Sequence, residues 1–198
     1  MSEFSHPSGP TGEVTRLLDE LRRGEPVGDE LFASVYEALR RIARSHRARW
    51  HGNETLNTTA LVHEAYLKLV GGDGGGYENR AHFLAVAAKA MRHLLISYAE
   101  RQAAQKRGGG QADLTLDEAL FVPEGRAEEL LALEEALRRL EQVDPRAAEV
   151  VECRFFAGLD AEETADALGV SRRTVTRDWG AARAWLYGEL RDDLLRVA

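Results

Sequence analysis

Apolar residues recur at three- and four-residue intervals along nearly the whole chain, and no stretch alternates with the two-residue period of a strand. Val14, Leu17, Leu18 and Leu21 predict a first helix, stopped by Gly24 and Pro26. Leu31, Val35, Leu39 and Ile42 predict a second, running on toward Trp50. Leu61, Ala65, Leu69 and Val70 predict a third, with Thr58 and Thr59 as capping residues and Gly71-Gly72 as its end. A fourth runs from about Ala81 to Gln105 and breaks at Lys106-Arg107-Gly108-Gly109-Gly110. Periodicity then fades until Leu130, Leu133, Leu137 and Leu140 restore it. Asp144-Pro145 starts a further helix over Arg146 to Ala157, with Asp144 as cap and Gly158 as stop. The pattern predicts an all-α chain of two small helical domains. Residues 1–12 read as a disordered tail, 13–107 as the first domain, 108–127 as an acidic linker and 128–198 as the second domain.

The second domain carries a candidate helix-turn-helix. Asp160 with Glu163 three residues on forms a capping-box pattern at the head of a short helix ending at Leu168. Gly169 follows where a left-handed turn needs glycine, and Ser171 caps the next helix. Along that helix Val175, Trp179, Ala182, Leu186 and Leu190 make one apolar stripe. Small Ala165 suits a close crossing of the two helices. Arg172, Arg173, Thr174, Thr176 and Arg177 fall near the start of the second helix, away from the stripe, where a recognition helix meets the major groove. Arginine can bond guanine with two parallel hydrogen bonds, and threonine can bond a base edge or touch a thymine methyl. The competing reading of these charges alone is a solvated helix surface.

Composition alters this picture in one respect. The net charge of −7 argues against a nucleic-acid partner, but the charge is segregated. Residues 36–107 hold 12 basic and 6 acidic side chains, residues 108–170 hold 5 and 16, and residues 171–187 hold 4 and 1. Because charges act over roughly a Debye length of 8–10 Å, the two positive blocks matter more than the sum. An apolar fraction of 44% allows a buried core, and a single cysteine, Cys153, suggests a reducing compartment. The N-terminal residues lack the pattern of a signal peptide, and charges interrupt the most apolar run, Ala81 to Ala99. A cytoplasmic protein without membrane spans is expected.

Catalytic patterns are missing. His63-Glu64 lacks the second histidine of a zinc-protease helix, and no glycine run is followed by the lysine of a phosphate loop. Cys153 beside Phe155 and Phe156 fits a core position. No enzyme activity, cofactor, metal or small-molecule substrate is expected.

The first domain narrows the type. Leu31-Phe32, Tyr36 and Leu39 to Ala43, then Ala60 to Leu69, then His82-Phe83-Leu84, Ile96-Ser97-Tyr98 and Arg101 resemble the promoter-melting domain of bacterial sigma factors. Within those, the chain resembles the small extracytoplasmic-function group of the sigma-70 family. Leu159 to Leu190 is similar to that group's second domain, so the resemblance spans about Val14 to Leu190. It implies an alternative sigma factor that binds core RNA polymerase and promoter DNA, with an anti-sigma factor as a regulator of the kind such proteins have. By the same resemblance Thr59, His63, Glu64, Leu67 and Lys68 would touch polymerase. Arg80, His82, Lys89, Arg92, His93, Tyr98 and Arg101 would meet the melted minus-ten strand, and the helix-turn-helix would read the minus-thirty-five duplex. Cations suit a phosphate backbone and rings can stack on unpaired bases. Phe83, Tyr98 and Trp50 nevertheless fit core or half-buried packing better than stacking platforms.

Several positions depart from the family. Leu56-Asn57-Thr58-Thr59 is uncharged where acidic residues are common, and His63 replaces a frequent glutamine. His93 and Ser97 stand where asparagine and aspartate are common, and Gly71 to Gly76 is an unusual glycine run. They mark a divergent subgroup. Two other readings stay open at this point: a helix-turn-helix regulator that never joins polymerase, and an interaction scaffold whose helix-turn-helix no longer binds DNA.

Overall fold

A computed structural model describes residues 10–50, 55–71, 76–106 and 127–197, all but a few of them helical. The helices are α1 (Pro10–Arg22), α2 (Gly28–Trp50), α3 (Thr55–Gly71), α4 (Arg80–Lys106), α5 (Ala127–Val143), α6 (Pro145–Val151), α7 (Ala161–Leu168) and α8 (Arg172–Val197). A π-helical turn, Glu152–Phe156, continues α6. The expected linker lies outside the described residues except for Ala127, which opens α5, and the side chains of Trp50 and those beyond Leu190 also lie outside them. No described helix is long and apolar enough to cross a membrane.

Most helix ends fall where local chemistry puts them. Asn79 caps α4, its side-chain oxygen accepting from the His82 N–H at 2.9 Å. Asp144 caps α6 by accepting from the Ala147 N–H at 3.0 Å, with Pro145 in the first helical position. Helix α3 departs from expectation. It begins at Thr55, so Thr58 and Thr59 lie inside it, and Thr58 is buried. A threonine competes with the helical backbone only weakly, and packing of the first turns overrides its preference for a cap. The predicted helix over Arg146 to Ala157 also changes character halfway. The Ala157 N–H bonds Glu152 O at 2.9 Å, a five-residue step that widens the last turn before Gly158.

Helices α1 to α4 pack on one another, and α5 to α8 do the same. One apolar cluster runs through both groups, from Val14, Leu39 and Phe83 to Leu130, Phe156 and Ala182. Helix α4 joins them, lying against α2 and α3 on one side and against α5, α7 and the π-helical turn on the other. Phe156 is fully buried there, its ring stacked on that of His46 from α2 at 5.3 Å. Cys153 is buried beside it, and burial pushes its thiol up to about 12, so it stays protonated and unreactive.

Candidate nucleic-acid interface

The α7–α8 unit is built from its ends. The Asp160 carboxylate accepts from the N–H groups of Glu162 and Glu163 at 2.8 and 2.9 Å, and Glu163 accepts in return from the Asp160 N–H at 2.9 Å. Those backbone hydrogen bonds hold the Asp160 carboxyl below its ordinary value. Gly169 has φ of 62°, a backbone that side chains with a Cβ avoid, and it turns the chain into α8. Ser171 accepts from the Thr174 N–H at 3.2 Å. A second small cluster, Val150, Ala165 and Val175, pins α7 and α8 to α6. Ala165 and Val175 are thus packed as their spacing predicted.

Arg172 and Arg173 are exposed on the first turn of α8; Arg173 lies opposite buried Val175 and Ala182, while Arg172, three residues before Val175, lies at their flank. Thr174 and Thr176 are partly engaged: Thr174 shares a hydrogen bond with the Ser171 hydroxyl at 2.9 Å, and the Thr176 hydroxyl donates to Arg172 O at 3.0 Å. Arg177 is exposed, but its Nε donates to Asp178 at 2.9 Å. Asp178 does not stand out in the sequence, yet it is only 4% exposed and also accepts from Arg146 of α6 at 2.6 Å. Burial would raise its carboxyl, but the hydrogen bonds from Arg146 and Arg177 outweigh that and hold it low. Asp178 therefore ties α8 to α6 through Arg146. Asp178→Ala removes two charge-assisted hydrogen bonds and should lower the unfolding free energy by about 1.5–3 kcal/mol in urea titrations. A change under roughly 0.5 kcal/mol would mean the bonds carry no such load.

The α4 residues are divided. Tyr98 is buried and turned toward α3, its hydroxyl donating to Glu64 at 2.6 Å, with Arg101 over its ring at 4.8 Å. Arg80, His82, Lys89, Arg92 and His93 instead lie on the side facing α5 to α7. Arg92 is 6% exposed. It is ion-paired to Glu134 of α5 and to Glu152 of the π-helical turn at 2.9 Å, with its guanidinium 5.3 Å from the centre of the Phe156 ring. Arg138, itself exposed, adds a second cation to Glu134 at 3.3 Å. Lys89 lies 4.0 Å from Glu141, and Arg80 lies 4.0 Å from Glu163 of α7. His82 Nδ1 accepts from the Glu78 N–H at 3.3 Å. No spacing in the sequence singles out these acidic partners, and the acidic block reads there as a property of the linker. Yet 12 of the 16 acidic residues between 108 and 170 lie beyond residue 126.

Between α4, α5 and α6 lies a cavity of about 600 Å³, lined by His82, Lys89, Arg92 and His93 on one wall and Glu134, Glu141 and Glu152 on the other. His93 is exposed at the edge of this cavity, and its partial desolvation there, then the cations Arg92, Lys89 and Arg138, lower it from 6.5 to about 4 against the opposing pull of Glu141. An NMR titration should find its ring neutral down to about that pH. Because the unfolded chain takes up this proton first, packing here weakens as pH falls from 6.5 toward 4. A midpoint near 6.5 would show His93 to be freely solvated instead.

On α3, Thr59, His63 and Leu67 recur at four-residue spacing, with Glu64 and Lys68 beside them. His63 Nδ1 lies 2.9 Å from Thr59 O and its ring 5.1 Å from that of Phe32. Leu67 is 70% exposed and Lys68 is exposed, while Glu64 is held by Tyr98. The predicted sets therefore lie at the start of α8, on both sides of α4 and on α3, and the last two meet where the Tyr98 hydroxyl donates to Glu64.

A family model described as ECF sigma factor matches residues 11–192. No curated protein and no solved structure matches the chain. An all-helical fold with a capped, glycine-turned pair of helices at its C-terminal end, matched from α1 into the last turns of α8, leads to one conclusion: the chain belongs to the ECF sigma factor family, alternative sigma factors that work with RNA polymerase in transcription initiation.

Proposed function

We propose that the chain directs core RNA polymerase to promoters by gripping two DNA elements. The first turn of α8 reads the minus-thirty-five duplex through Arg172 and Arg173, with Thr174, Thr176 and Arg177 as neighbours. Helix α4 meets the melted minus-ten strand, its cations following the backbone. The exposed side of α3 around Leu67 docks on polymerase: an exposed leucine flanked by His63 and Lys68 suits a protein surface better than a phosphate backbone. Residues 13–107 and 128–198 act as two modules tethered by 108–127, and the activity is regulatory, without catalysis. An anti-sigma factor is a further partner that this reading accommodates.

One observation carries the proposal: two exposed arginines stand on the first turn of a helix that Val175 buries and Asp178 ties to α6. The test is transcription in vitro with core polymerase on genomic fragments, followed by mapping of the start sites. A shared pair of elements upstream of the starts supports the proposal. A chain that binds DNA but neither joins core polymerase nor starts transcription is a regulator acting alone.

A further inference from the structure

We propose that Arg146 of α6 and Arg177 of α8, joined through Asp178, clamp one phosphodiester of duplex DNA beside the groove that α8 enters. The inference rests on the reading of α8 as the duplex-reading helix. It adds a residue from outside the helix-turn-helix, and it moves Arg177 from the base edges to the backbone.

The trio is held from within. Each oxygen of the buried Asp178 carboxylate is taken by one guanidinium: Arg146 Nε donates to Oδ2 at 2.6 Å, and Arg177 Nε to Oδ1 at 2.9 Å. Attachment through Nε leaves both amino groups of each arginine available. Among the described residues those amino groups make no other hydrogen bond. The Arg146 and Arg177 side chains are 46% and 67% exposed, against 5% for Asp178. One end of each guanidinium is thus fixed on the acid, and the rest meets solvent.

Neutralising a buried carboxylate takes one arginine. Asp178 has two, so the trio keeps a positive charge that burial does not require. Asp144 is the other acid near Arg146, and its carboxylate is already engaged by the Ala147 N–H. What the second arginine adds is a pair of planar forks ordered in advance by one acid. Such forks match the paired oxygens of a phosphate, and prior ordering lowers the entropic cost of binding.

The place of the trio on α8 favours the backbone over the bases. Arg177 stands one turn after Arg173, about 6 Å further along the axis at roughly 1.5 Å per residue. The major groove is about 8.5 Å deep, so a side chain set back that far meets its phosphate wall. Arg146 reaches Asp178 from α6, on the flank of α8 and 32 residues earlier in the chain. No spacing in the sequence joins it to the recognition helix.

The test measures binding of the full chain to a short, fluorescein-labelled duplex of mixed sequence over a range of salt concentrations. Arg146→Ala should weaken binding roughly eightfold at about 0.1 M salt and flatten the slope of log affinity against log salt by about 0.9, as one lost phosphate contact does. Asp178→Asn removes a negative charge from beneath both arginines. Loosely held cations would then bind the duplex more tightly; a clamp that needs the acid to order it binds more weakly. Tighter binding by Asp178→Asn therefore overturns the proposal. The reference is Arg172→Ala with Arg173→Ala, which weakens binding with or without a clamp. If the reference weakens binding while Arg146→Ala leaves the slope unchanged, the clamp falls and the reading of α8 stands. If neither variant changes binding, the reading of α8 falls and the clamp with it. Should Arg146→Ala not fold, Arg146→Gln takes its place, since its amide can still donate to Asp178 but carries no charge for a phosphate.

Discussion

Phe156→Ala is expected to lower the unfolding free energy by about 3–5 kcal/mol, the range for emptying a buried aromatic site. Its ring is fully buried and meets three neighbours: His46 from α2 at 5.3 Å, Phe155 edge-on at 5.0 Å, and the Arg92 guanidinium at 5.3 Å. A hole there cannot be filled by a small shift of one side chain, because the surrounding atoms belong to α2, α4 and the π-helical turn together. The cost adds the lost transfer of the ring to the contacts its neighbours forfeit. Loss of the ring also leaves the Arg92 cluster without its apolar floor, so both halves of the protein should loosen in one transition. Urea unfolding followed by circular dichroism measures this directly. Phe155→Ala is the control, since Phe155 is only partly buried and should cost less. Equal effects of the two substitutions would mean that Phe156 has no special place between the halves.

Replacing Arg172 and Arg173 together should have the largest effect on function with little effect on stability. Both are exposed, and surface substitutions of this kind usually change stability by no more than about 0.5 kcal/mol. On the proposed reading, a well-formed bidentate contact to a guanine is worth about 1–3 kcal/mol, or roughly a 5- to 150-fold loss of discrimination for each arginine. Arg172→Ala and Arg173→Ala should therefore remove most promoter-specific transcription by the assembled polymerase, while urea midpoints stay in place. Lysine in place of Arg173 separates base reading from phosphate binding. It keeps the charge but loses the planar fork, so a base contact is lost and a phosphate contact is kept. Arg177→Ala is the less clean probe, because Arg177 also bonds Asp178 and its loss disturbs the anchor of α8. Unchanged transcription by the Arg172 and Arg173 double variant would place the reading head elsewhere on the chain.

The helices are legible wherever the responsible signal lies within a few residues. The apolar spacing around Leu31 to Ile42 and Leu130 to Leu140 places helices that the fold contains. The Asp160 and Glu163 reciprocal cap, the left-handed Gly169, and Asp144-Pro145 are all readable from neighbours alone. Helix α4 shows the limit of that reading. Its length follows from local apolar content and the glycines after it, but apolar residues surround it too evenly to reveal a single buried side. In the sequence Arg92 and Tyr98 look like equivalent candidates on a basic helix. In the fold Tyr98 bonds Glu64, while Arg92 is enclosed by carboxylates from the other half.

The helical class, the capped start of α7, the glycine turn that follows it and the burial of Val175 on α8 were therefore readable from the chain alone. Each follows from 3.6-residue periodicity, capping or turn chemistry, which act over one or two turns. Only tertiary packing decided which charges are free. Glu134 and Glu152 reach Arg92 across 42 and 60 residues of chain, and Asp178 meets Arg146 across 32. No local pattern distinguishes these acids from the solvated ones around them. They are held in place because α4 docks on α5 and the π-helical turn, and a buried cation there must take a carboxylate with it.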